Sequence, residues 1–380
     1  MQVIFGVIFH FIGGFASGSF YIPYKKVRGW AWESFWIVGG LFSWLIVPPL
    51  AAWLTIPHFT EIIKATNGNI LWLTYMFGLL WGIGGLTYGL GVRYLGVSLG
   101  STIILGLCAV FGSIIPSVYY NFFPKAGKDT FSTLLHSHWG QMVLLGIAIC
   151  VAGIIICGKA GMMKERELVA GKADVADNKD YRFGLGIFVA IVSGVLSACF
   201  NFGIEAGKSM ADTANELWKA AHPGQGNFLF QNNVTYVIIL WGGLSTNFTW
   251  CMILNARNKT FGDYTNGSKP LLRNYLFCAL AGTTWFLQFF FYGMGESRLG
   301  NGASSWILHM AFIILIANTW GLLLKEWKGV SRKAIGTVVA GILTIIISVL
   351  VVGYGNKVKP KAQSENPKVN NTTIKQSVIQ

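Results

Sequence analysis

This chain is short of charge. Asp, Glu, Lys and Arg make up 12% of its 380 residues and only 15 are acidic, whereas 53% are hydrophobic. The mean hydropathy is +0.53. So little charge cannot cover the surface of a water-soluble domain of this length, so composition excludes a soluble enzyme or scaffold and calls for a polytopic membrane protein. Other absences narrow the function. No GxxxxGK[ST] loop is present to cradle a nucleotide phosphate, which argues against ATP-driven work within the chain. No closely spaced set of His, Cys and carboxylates points to a metal, no serine, histidine and aspartate signature points to a hydrolase, and no cofactor is called for. The HSH run at His136 to His138 reads as a weak metal site or simply as polar loop. No cysteine falls outside an apolar run, so Cys108, Cys150, Cys157, Cys199, Cys251 and Cys278 are not expected to form a disulfide framework. The first apolar run has no basic segment before it and is followed by Lys25, Lys26 and Arg28, which reads as a retained span and not a cleaved signal.

What remains is apolar sequence in long runs. Crossing about 30 Å of hydrocarbon takes roughly 20 apolar residues in a helix. Ten runs qualify, approximately at 3–24, 34–56, 70–92, 97–121, 139–158, 183–205, 229–254, 272–295, 303–324 and 334–355. They are continuous and lack the period-two alternation of barrel strands, so the expected fold is an all-α polytopic membrane protein of ten transmembrane helices. The formal net charge of +14 comes from basic residues scattered over short loops, which a lipid bilayer explains without nucleic acid. Eighteen of them, including Lys25, Arg93, Lys164, Arg182, Lys269 and Arg332, lie in or beside odd-numbered loops, against six in the even-numbered ones. By the positive-inside rule the odd loops are cytoplasmic and both termini lie outside. Five lysines in the polar tail beyond Asn356 run against that bias; the tail is expected to be disordered.

The second half of the chain rewrites parts of the first. At an offset of 204, Trp81, Tyr88, Gly89, Gly91, Leu95, Gly96 and Ser101 recur as Trp285, Tyr292, Gly293, Gly295, Leu299, Gly300 and Ser305. At an offset of 180, Gly6, Gly14, Ser17 and Phe20 recur as Gly186, Gly194, Ser197 and Phe200. The expected organisation is a first five-helix repeat over 1–160, a cytoplasmic linker over 161–182, a second repeat over 183–355 and the tail over 356–380. Five spans per repeat make the second copy enter the membrane from the other side, so the repeats are inverted. Inverted repeats supply alternating access about a site between them.

Ionisable groups inside spans are functional candidates by default. His10 and His309 lie at similar depth in the first and ninth spans, roughly 10 Å below the same surface at 1.5 Å per residue. Each is either a proton carrier, since histidine titrates near neutrality, or a neutral ring hydrogen-bonded to a neighbouring helix. Glu33, in WAWESFW, is either an intramembrane carboxylate or a first-turn residue favoured by the helix dipole. The proton-coupling candidates are therefore His10, Glu33 and His309. Glu205 and Glu296 sit at span ends near Lys208 and Arg298, the pattern of interfacial ion pairs. For a substrate, Trp81, Tyr88, Trp285, Gln288 and Tyr292 line repeat-related spans, and Trp285, Gln288 and Tyr292 share one helical face. Asn201 adds an uncharged hydrogen-bonding group. Aromatic faces beside amides and hydroxyls suit a small-molecule sugar, although aromatic side chains also serve in helix packing.

Three stretches carry a resemblance: FYIPYKKVRGWAWESFW, WGIGGLTYGLGVRYLG, and WFLQFFFYGMGESRLG followed by SSWILHM and LLLKEW. Together they resemble the L-rhamnose/proton symporter family of the drug/metabolite transporter superfamily, over nearly all of residues 1–355. The resemblance implies ten helices in two five-helix repeats and proton-coupled import of L-rhamnose or a related 6-deoxyhexose across the bacterial inner membrane, with sugar and proton as partners. Glu33, Gln288 and His309 lie in those stretches, and His10 lies within the resembling region. The competing readings are a metabolite exporter or uncoupled uniporter of the same superfamily, and then a membrane-embedded enzyme or sugar sensor.

Overall fold

The computed structural model describes residues 2–95, 97–125, 127–170, 182–324 and 327–360. Most of the expected linker, from 171 to 181, and the tail beyond 360 lie outside the described residues. Among the described residues ten helices are long and apolar enough to cross a membrane, and there is no strand. We label them α1 (Gln2–Tyr24), α2 (Trp32–Thr55), α3 (Gly68–Leu95), α4 (Gly100–Phe122), α5 (His138–Glu167), α6 (Phe183–Ala206), α7 (Asn233–Asn258), α8 (Leu271–Leu299), α9 (Gly302–Leu323) and α10 (Arg332–Val358). Each matches one expected run. Outward-facing Trp53, Trp72, Phe188, Leu276 and Leu350 are exposed, an apolar surface suited to lipid and not to water.

Local sequence accounts for the ends and irregularities of these helices. Asn301 Oδ1 accepts the Ser304 N–H at 2.7 Å to start α9, and Ser331 Oγ accepts the Ala334 N–H at 3.2 Å to start α10. Gly300, at φ 64°, ends α8 in the left-handed conformation that glycine adopts without strain. Within α2 the backbone widens into a π-helical turn at Leu41–Ile46, immediately before Pro48 and Pro49, whose missing N–H groups interrupt the regular ladder.

The packing pairs come in couples. α1 lies against α8 and α9, as α6 lies against α3 and α4, while α5 pairs with α10. Shifting each helix by five converts one set of pairs into the other, which is the relation a duplicated five-helix unit requires. Both termini reach the same end, here the terminal end.

At the opposite end, side chains tie the short loops to the helices. Glu33 accepts hydrogen bonds from Asn258 Nδ2 and Thr260 Oγ1, both at 2.9 Å, and Asn274 exchanges two with the backbone of Arg28. In the α7–α8 loop, Asp263 accepts from the Ala31 N–H at 2.7 Å and from Lys269 Nζ at 2.5 Å. Burial works to raise the Asp263 pKa, but the hydrogen bonds from Lys269 and Ala31 and the Lys269 charge outweigh it and hold it below the ordinary 3.8. A depressed carboxylate stabilises the fold above its unfolded value, and that contribution is lost as pH falls through the folded value. Asp263→Asn is therefore expected to lower the thermal midpoint in detergent by a few degrees at neutral pH, and the gap to the unaltered protein closes in acid. A gap independent of pH would show that charge is not what Asp263 contributes.

Candidate functional site

Read from the terminal end inward, the centre of the bundle is a stack of three layers: a charged chamber, a pair of histidines, and a cluster of tryptophans.

The chamber is a cavity of about 270 Å³ whose walls include Tyr120, Lys128, Glu205, Lys208, Glu296 and Asn301. Glu205 is ion-paired to Lys128 and accepts the Tyr120 hydroxyl at 2.8 Å. Glu296 accepts from Lys208 Nζ at 3.4 Å and from Asn232 Nδ2 at 2.9 Å. Both carboxylates are thus ion-paired, as their positions near span ends suggest, but with partners that sequence proximity does not name. Arg298 instead donates to the Asn227 carbonyl. Burial opposes the charge on Lys208, yet Glu296, Glu205 and Asp212 outweigh it and hold its pKa above the ordinary lysine value.

Four residues below Glu296 on α8, roughly 6 Å along the axis, Tyr292 stands between the two histidines. Its ring meets His10 edge-on at 5.3 Å and His309 at 5.2 Å, and the two imidazoles are 6.2 Å apart. His10 is 0% exposed and His309 1%, and no ring nitrogen of either has a hydrogen-bond partner among the described residues. The hydrogen-bonded alternative for these rings is therefore not what the structure shows. His10 reaches this place because Gly295 has no side chain: a Cβ there would lie 2.7 Å from Nε2. The Tyr292 hydroxyl donates to Asn201 Oδ1 at 3.3 Å, and Asn201 Nδ2 donates to the Gly112 carbonyl at 2.7 Å. One chain of contacts thus joins α1, α4, α6, α8 and α9.

Deeper still, Trp81 and Trp285 pack at 5.7 Å with Trp44 edge-on to both, while Phe200 and Phe289 stack at 3.9 Å. Gln288 Nε2 donates to the Trp285 carbonyl at 2.9 Å. Beyond this layer Tyr88 donates to Ser101 Oγ at 2.7 Å and lines a second cavity of about 300 Å³ with Thr102, Asn318 and Trp327. Tyr88 and its repeat-related Tyr292 therefore stand on opposite sides of the tryptophans. The structure brings together His10, Tyr292, His309 and Asn201 in one layer and Trp81, Trp285 and Gln288 in the next. Glu33 is not among them; it lies at the opposite end on Asn258 and Thr260. His136, of the HSH run, turns Nδ1 to the Ser132 carbonyl, and the described residues hold no three-membered group of metal-ligating side chains.

The family model described as L-rhamnose-proton symport protein (RhaT) matches residues 1–358. The chain belongs to this family. Proteins named L-rhamnose-proton symporter from Yersinia pestis (strain Pestoides F) and Pectobacterium atrosepticum are 34% and 36% identical to it, each over 358 residues covering 93% of this chain and 98% of the relative. Within this rhamnose-symporter family member, sequence reasoning missed Trp44 and Trp306. Trp306 crosses to α4, donating to the Cys108 carbonyl at 3.0 Å, and packs on Tyr292 at 6.0 Å. The available signal was position: Trp306 is one helical turn from His309, on the same face.

Proposed function

We propose that this protein imports L-rhamnose with protons across the bacterial inner membrane, with the units 1–160 and 183–355 rocking as inverted repeats to give alternating access. The observation that carries this reading is the family match over residues 1–358, and it excludes an enzyme. The geometry supports a division of labour. His10 and His309 take up the proton when the terminal end, the outer one by charge bias, opens to water. A charge on either ring needs a partner, and in this packing the buried ring nitrogens have no hydrogen-bond partner among the described residues. Tyr292, touching both rings and bonded to Asn201, reports their state to α6. L-rhamnose has a methyl group and an apolar face as well as hydroxyls, which Trp81 and Trp285 with Gln288 and Asn201 match when the tryptophan layer parts. Tyr88 receives the sugar on the cytoplasmic side. Glu33, fixed by two donors far from the histidines, holds α2 to α7 and takes no part in proton coupling.

Proteoliposomes given an inward proton gradient are expected to accumulate labelled L-rhamnose, and a protonophore to remove the accumulation. Equal uptake with the gradient collapsed would favour the uncoupled uniporter. No uptake under either condition would exclude L-rhamnose as the substrate.

A further inference from the structure

The terminal chamber has more polar capacity than its ion pairs use. Gln231 lines it at 5% exposure, and its side-chain amide has no hydrogen-bond partner among the described residues. Asp212, on the amphipathic helix Lys208–Ala221, also lines the chamber; its charge acts on Lys208, but its carboxylate accepts no hydrogen bond among the described residues. The Gln231 amide faces the chamber, so a bound hydroxyl group can take a hydrogen bond there. Charge selects the kind of molecule. Three lysines and four carboxylates line the space, so an anion would meet Glu205, Asp212 and Glu296, while a neutral molecule with many hydroxyls finds donors and acceptors on every side. The volume is close to the lower limit of small-molecule sites, about 300 Å³. The floor is Glu296, one turn from the tyrosine that touches both histidines.

Resting on the rhamnose reading, we propose that this chamber is a second monosaccharide site: L-rhamnose binds here first, its hydroxyls on Gln231 and Asp212, and passes from it toward the histidine layer. The chamber then adds a second binding equilibrium to that of the deeper site. Equilibrium binding of tritiated L-rhamnose to the purified full chain tests this without any substitution. Two sugars per protein are expected, and in Gln231→Leu one of the two should bind more weakly. Gln231→Leu and Asp212→Asn should each raise the half-saturating sugar concentration for uptake from the terminal side about three- to tenfold, the worth of one hydrogen bond. Affinity for the other bound sugar and the thermal midpoint in detergent should not change, which a general loss of structure would not reproduce. One sugar per protein in the unaltered chain, or two sites of unaltered affinity in both variants, would overturn the chamber while leaving the rhamnose reading intact. No bound L-rhamnose at all would overturn the rhamnose reading itself.

Discussion

Proteoliposomes carrying His309→Gln are expected to exchange internal for external L-rhamnose at close to the unaltered rate, yet to fail to accumulate it. One pH unit supplies about 1.4 kcal/mol per proton, and 100 mV adds about 2.3 kcal/mol per charge. At about 1.4 kcal/mol per factor of ten, one proton per sugar supports accumulation of roughly several hundredfold. Removing the proton carrier takes that ratio to about one, which makes this one of the largest effects available from a single side chain. Glutamine fills most of the imidazole volume against Tyr292 and Phe289, so the layer stays packed while its titration is lost. His10→Gln should behave alike, because Tyr292 contacts both rings equally closely. Labelled-sugar counterflow and gradient-driven uptake on the same vesicles separate the two properties. Accumulation retained in full by both variants would remove the histidines from the coupling path.

The second large effect concerns folding. α3 and α7 cross with glycine facing backbone on both sides: a Cβ on Gly78 would lie 2.0 Å from the Ile239 carbonyl oxygen, and one on Gly242 would lie 2.2 Å from that of Tyr75. Backbone cannot rotate away as a side chain can, so Gly78→Ala or Gly242→Ala forces the helices apart. Overpacking of this kind costs about 1–3 kcal/mol and sometimes more. The two sites share one contact, so the double variant should lose less than the sum. Gly85→Ala is the control, since nothing lies within 4 Å of its Cβ position. Thermal midpoints in detergent should fall by several degrees for the first two and stay unchanged or rise slightly for the control. Equal midpoints for all three would mean that the crossing is not close-packed.

Much of the fold was legible because the bilayer sets so few options. Ten apolar runs became ten helices, the cysteines are all buried and unpaired, and the two repeat-related tryptophans meet at the centre. Ends were less legible. The run at 139–158 continues as helix to Glu167, because backbone hydrogen bonding goes on past Lys159, Lys164 and Arg166, where hydropathy stops. The histidine pair could be read from depth alone, since α1 and α9 start at the same surface. The neighbours of Glu205, Glu296 and Glu33 could not. Lys128, Asn232, Asn258 and Thr260 reach them only through tertiary packing, across 77 residues for Lys128 and 225 for Asn258. Tyr88 shows the limit of repeat reasoning: it copies Tyr292 in sequence, but α3 and α8 run in opposite directions, so it lies on the other side of the tryptophans, where it meets Ser101 and not a histidine.

On the proposed mechanism, rhamnose movement carries a proton through the His10–His309 layer. The most direct test is to add L-rhamnose to lightly buffered proteoliposomes, with no imposed gradient, and follow external pH beside labelled sugar uptake. Alkalinisation in fixed proportion to sugar taken up is expected for the unaltered protein, and none in His309→Gln vesicles that still exchange rhamnose. Sugar entering the unaltered vesicles without any pH change, or alkalinisation of undiminished size in the variant, would contradict it.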